Sequence, residues 1–182
     1  MEILLILLVV LAILGLWYIT TLNGFRRMLI KIDEAESSID VALTQRFDTL
    51  NKMFKLAKGY MKYEKGTLEG IVKLRQPGHS ADIKDKEKFA NEVSKGIQAL
   101  NVVVENYPDL KASTNIGKVQ DASLEIEENL QASRRLYNSN VSYYNQSIVV
   151  FPGNIVANMK QFKKRDFFEA DPAKRQDVDF EF

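Results

Sequence analysis

Residues 3–25 read Ile-Leu-Leu-Ile-Leu-Leu-Val-Val-Leu-Ala-Ile-Leu-Gly-Leu-Trp-Tyr-Ile-Thr-Thr-Leu-Asn-Gly-Phe, with no charged side chain between Glu2 and Arg26. As an α-helix rising about 1.5 Å per residue, this run is roughly 34 Å long, enough to cross a bilayer hydrocarbon core of about 30 Å. Ile3, Leu8, Leu11 and Leu14 belong to its apolar body. Each such residue near the centre favours insertion by roughly 0.3–0.6 kcal/mol. Trp17 and Tyr18 stand toward the C-terminal end, where amphipathic rings prefer the headgroup level. Soluble core helices seldom carry so unbroken an apolar run, so residues 1–25 read as a transmembrane anchor. A basic n-region is missing and Tyr18-Ile19-Thr20-Thr21 is a poor cleavage site, so the anchor is expected to be retained. Arg26, Arg27 and Lys31 crowd its C-terminal flank, and no Lys or Arg stands on the other. The positive-inside rule then puts the N-terminus outside and the remainder in the cytoplasm.

Of the 182 residues, about 155 follow the anchor, room for one domain with a real core. The formal net charge of +1 supplies no global field for nucleic acid. Cysteine is absent, which removes disulfides, thiolate catalysis and cysteine-based zinc sites. His79 is the only histidine and sits in Gln76-Pro77-Gly78-His79-Ser80, a loop by composition and a poor place for a metal ligand. Elsewhere apolar residues recur at threes and fours, which predicts an all-α protein.

Phe25, Met28, Leu29, Ile32, Ala35, Ile39, Leu43, Phe47, Leu50, Phe54, Ala57 and Met61 form one stripe suited to bundle packing. No proline interrupts residues 3–76, so the anchor is expected to run on as the first bundle helix as far as about 76, with Gly59 and Gly66 as weak points; the alternative is a break near Gly66 that leaves a short separate turn. A second helix, capped by Asp82 or Asp85, carries Phe89, Val93, Ile97, Leu100, Val103, Val104 and Tyr107 and stops at Pro108. A third starts near Ser113 or Thr114 and runs to about Val150, with Ile116, Val119, Ala122, Ile126, Leu130, Ser133, Tyr137, Val141, Tyr144, Ile148 and Phe151 in its stripe. Its many asparagines are expected mostly to face water. Pro152-Gly153 closes it, and a short fourth helix carries Ile155, Val156, Met159 and Phe162. The fold class is therefore an N-terminal transmembrane helix leading into an antiparallel bundle of three long helices and a short C-terminal fourth. The domains are an anchor (1–25), a cytoplasmic bundle (26–165) and a tail (166–182) that frays or docks on a neighbour.

Several stretches resemble the LemA family. They are Asp33-Glu34-Ala35 with Ile39-Asp40-Val41 and Arg46-Phe47-Asp48; Lys58-Gly59-Tyr60 with Thr67-Leu68-Glu69; Glu105-Asn106-Tyr107-Pro108-Asp109-Leu110; and Arg134-Arg135, Tyr137-Asn138, Tyr144-Asn145, Phe151-Pro152, Asn154-Ile155 and Phe167-Phe168-Glu169. The matches span nearly the whole chain in order. Asn51 stands where many members have a proline, so no kink is expected there. The resemblance implies one membrane helix with a short outside N-terminus and a cytoplasmic four-helix bundle in a bacterial cell membrane. It implies no reaction.

No nucleophile–base constellation, glycine-rich phosphate loop or Glu-x-x-His motif is legible, so no enzyme, cofactor or metal is expected. Glu64, Glu69, Glu125, Glu127 and Glu128 read as solvated helix faces. The expected partners are the lipid bilayer, further copies of this chain and an unidentified membrane protein. Phe25, Met28, Ile32, Phe162, Phe167 and Phe168 are the candidate interaction residues. The function these residues suggest is a membrane-anchored, self-assembling scaffold or adaptor, and the resemblance implies membrane organisation as its process. The alternative, which the resemblance implies, is a regulatory partner of a membrane enzyme such as a membrane metalloprotease.

Overall fold

The computed structural model describes residues 1–60 and 70–169. All regular structure among them is helical: α1 (Glu2–Ala57), α2 (Ile83–Asn106), α3 (Pro108–Lys111), α4 (Thr114–Val149) and α5 (Gly153–Met159), with a further helical turn at 70–73. The chain divides into two compact units, and α1 and α4 contribute residues to both.

The first unit comprises Met1–Glu36 and Leu136–Phe167. Its core follows from two helical stripes. Phe25, Ile32 and Ala35 are buried on α1; Tyr137, Val141, Tyr144 and Ile148 are buried on α4. The two helices run antiparallel, since Asn140 donates to the Lys31 carbonyl (3.0 Å) while Gly153, just past α4, lies against the ring of Phe25. α5 then turns beneath Phe25. It ends where Gln161 takes a left-handed φ of 55° and the Phe162 N–H bonds to the Ala157 carbonyl (3.0 Å), a reversal that satisfies an orphan helix carbonyl. That turn seats the Phe162 ring edge-on to Phe25, 5.4 Å between centroids.

The second unit comprises Ser37–Arg135 with Phe168 and Glu169. Here α2 runs parallel to α1: Asp40 meets Lys86, Phe47 meets Phe89 and Leu50 meets Gly96. Residues 70–79 make this possible by returning alongside α1, from Ile71 near Gly96 to Gln76 on Thr44 and His79 on Asp40. α3 occupies the turn after α2, and α4 comes back antiparallel to it, with Gln120 donating to Asn101 (3.1 Å).

Three expectations are corrected. The first bundle helix stops at Ala57 and breaks into turn at Lys58–Tyr60, so it does not run to 76; Gly59 is the weak point that ends it. Ala122 and Phe151, placed in the α4 stripe by spacing, are exposed. The tail does not fray from its start: residues 166–169, like 163–165 before them, are held by their own chain. The helix is unbroken at Asn51, as its sequence suggests. Readings that involve Met61, Glu64, Gly66, Thr67, Leu68 and Glu69, or the segment from 170 on, lie outside the described residues.

Two glycines give opposite outcomes. A Cβ at Gly153 would stand 2.5 Å from the Ser147 carbonyl oxygen, so Gly153→Ala lowers stability by about 1–3 kcal/mol. Gly117 has open space around it, so Gly117→Ala raises stability by about 1 kcal/mol. Denaturant unfolding of the solubilised full chain, followed by circular dichroism, measures both.

Candidate functional site

Every large apolar residue from Ile3 to Leu16 is exposed, Ile3 at 84% and Leu14 at 54%, and none of the most apolar window of α1 is buried within the chain. Leu8 and Leu11 share this surface, while Trp17 and Tyr18 are half-buried. Thr20, a polar interruption, donates its hydroxyl to the carbonyls of Leu16 and Trp17, both at 2.9 Å, so it carries no unmet donor. This stretch has the length, composition and exposure of a single-pass membrane anchor. Arg26, Arg27 and Lys31 are exposed on the next turns. Arg27 and Lys31, with Gly24, Asn140 and Tyr143, line a groove of about 490 Å³ in the first unit.

The candidate interaction residues separate by burial. Phe25 and Ile32 are interior to the first unit, and Phe162 packs on Phe25. Phe168 is interior to the second unit, with the Arg134 guanidinium 4.5 Å above its ring. Met28 is half-buried and Phe167 is exposed.

Residues 163–166 form an extended strap along α4. Tyr144 donates to the Lys163 carbonyl (3.0 Å), Tyr137 to the Asp166 carbonyl (3.0 Å), and Asn145 grips Arg165 at both its carbonyl and its N–H (each 2.9 Å). Arg165 itself pairs with Asp33 at 2.6 Å, with Glu36 at 3.8 Å. Asn140 and Asn145 therefore bind backbone, while Asn115 and Asn129 are exposed to water. Burial, then the charge of Glu36, pushes the Tyr137 hydroxyl up to about 12 against the opposing Arg165. Burial likewise raises Tyr144.

The second unit holds charges that periodicity did not reveal. Arg46 is buried and pairs with Glu127 at 2.5 Å, which corrects the reading of Glu127 as a solvated acid. Burial lowers the pKa of Arg46 and of Arg134, with Glu127 opposing in each case. Lys86 is almost wholly buried and pairs with Asp40 (2.8 Å), while donating to the His79 carbonyl (3.1 Å). His79 is exposed, as its loop suggests, and its Nδ1 lies 2.5 Å from Asp40 Oδ2. The sequence signal for Lys86 is its register with Ile83, Ala90 and Val93, where a cation needs a partner. Among the described residues, no group of three or more His, Cys, Asp or Glu is placed to hold a metal.

Two tests follow from the strap. Asn145→Ala leaves the Arg165 backbone unmet, at a cost of about 1–3 kcal/mol. Trypsin then cleaves faster at Lys163–Arg165, while the exposed Asn115→Ala leaves the rate unchanged. The raised Tyr137 pKa stabilises the folded state fully below the ordinary tyrosine value near about 10, and that contribution is lost as pH rises through about 12. Tyr137→Phe deletes a phenolate band that titrates at about 12 in a spectrophotometric titration.

The LemA family model matches residues 35–182. Protein LemA of Metamycoplasma hominis is 30% identical over 165 residues, covering 89% of this chain and 75% of that protein. Magnetosome proteins MamQ 1 and MamQ 2 of Paramagnetospirillum magneticum are each 31% identical over 74 residues, 41% of this chain and 27% of theirs. With the matched region reaching from the α1 stripe through the α4 strap, the chain belongs to the LemA family.

Proposed function

We propose that this LemA-family protein is a membrane-anchored helical scaffold or adaptor with no reaction of its own. The observation that carries the reading is the bare apolar surface of Ile3–Leu16, continuous in one helix with packed residues from Phe25 onward. Arg26, Arg27 and Lys31 support an orientation with the N-terminus outside and the helical units in the cytoplasm of a bacterial cell. The innermost charges serve structure, since Arg46 is matched by Glu127 and Lys86 by Asp40. Confinement to a bilayer raises effective concentration, so weak lateral contacts suffice for self-assembly. Membrane organisation is the process such a scaffold suits.

The test takes cells that express the full chain. External protease leaves residues after the anchor intact, and light scattering of the detergent-solubilised protein gives a mass above one subunit. A monomer at every concentration ends the assembly claim. A small stoichiometric complex with a co-purifying membrane protease moves the assignment to a regulatory partner. Digestion from outside reverses the orientation.

A further inference from the structure

Where α4 gives way to α5, the first unit exposes an apolar cluster that packing does not explain. Val149, Val150, Phe151, Ile155 and Met159 are exposed, Phe151 at 75% and Met159 at 67%. All lie within a dozen residues of chain, around Pro152-Gly153. Lone exposed apolar residues are ordinary, but a contiguous group on one end of a unit marks a contact surface.

Register says what the cluster lies beside. Asn140 is bonded to Lys31, and Gly153 and Ser147 come together against Phe25. α4 therefore advances toward the N-terminal end of α1, about one residue for each residue α1 recedes. Gly153, inside the turn, lies against Phe25, the residue that closes the uncharged run, so the turn stands level with that end of the run. Thr21, Leu22 and Gly24 are half-buried, unlike the residues before Trp17.

Charge says what kind of surface it meets. Residues 136–165 contain no Asp or Glu, and residues 3–32 contain none either. The charged side chains exposed in these two stretches, Arg26, Arg27, Lys160, Lys163 and Lys164 among them, are therefore cations. Exposed apolar side chains in a segment whose charges are all positive are the make-up of an interfacial segment, with the apolar part at the acyl boundary and the cations on headgroup phosphates.

We propose that the α4–α5 turn is a second membrane contact, seated in the headgroup and upper acyl layer of an anionic bilayer beside the emerging α1. This rests on the reading of residues 1–25 as a membrane anchor. The consequence is a two-point attachment, in which the turn fixes the tilt and rotation of the first unit against the lipid surface.

The chain lacks cysteine, so single labels are available at chosen sites. Phe151→Cys, Val150→Cys, Leu8→Cys and Ser139→Cys variants of the full chain are labelled with an environment-sensitive fluorophore. They are reconstituted into vesicles of phosphatidylcholine and phosphatidylglycerol in equal parts. Lipids with a nitroxide high on the acyl chain quench most of the emission at Phe151 and Val150 and little at Ser139, an exposed position further up α4. In phosphatidylcholine alone the quenching at Phe151 and Val150 declines. Leu8 reports the anchor, through nitroxides deep in the chains. Quenching at Leu8 with Phe151 and Val150 open to aqueous iodide overturns this proposal and leaves the anchor standing. Shielding of Phe151 from both iodide and lipid overturns it in favour of a protein cover. Absence of lipid quenching at Leu8 removes both readings.

Discussion

Apolar surface left in water is disfavoured by roughly 25 cal/mol per Å², and the first turns of α1 carry such surface on every side. Among the described residues, no element covers it. By Phe25 the same helix has changed character: one face is buried and most of the rest is polar. The change happens without a break in the backbone, because the helix period is constant while the pattern laid on it shifts from all-apolar to a single stripe. Everything in the first unit is built on that stripe, from the tyrosines of α4 to the Phe162 ring.

The polar part of that unit is as specific as the apolar part. An extended strap has backbone groups that no helix satisfies, and buried backbone groups need partners. α4 supplies them from side chains one or two turns apart: Tyr137, Tyr144 and Asn145. Two tyrosines bury large rings and still place a hydroxyl where a carbonyl waits, which a phenylalanine cannot do. The Arg165 ion pair with Asp33 ties the same strap to α1.

The helices were legible because burial leaves a period in the sequence. The stripe from Ile32 to Ala57, that of α2 from Phe89 to Val104, and the helix stops at Pro108 and Pro152 were all readable from spacing and punctuation. Less readable was anything decided by a distant partner. Lys86 sits on a core-facing register and is tolerated only because Asp40 reaches it. Glu127 has the spacing of a surface acid and becomes an ion-pair partner because Arg46 is interior. The amide side chain of Asn145 had two equally good fates, water or backbone, and only the path of residues 163–166 decides between them. Phe151 kept the helical spacing but lies past the end of α4, where the period no longer predicts a direction. In the candidate site, the bare apolar run, its basic flank and the stripe that buries Phe25 and Ile32 were visible from the start, whereas the burial of Phe168 was not.

The ion pair between Arg165 and Asp33 joins residues 132 positions apart, and the Asn140–Lys31 bond spans 109. Contacts of such long sequence separation form late, since the loop must close before they reward it. On a ribosome, Phe25 and Ile32 are made long before their partners on α4 and the strap. Until those partners emerge, the first unit exists as half a core.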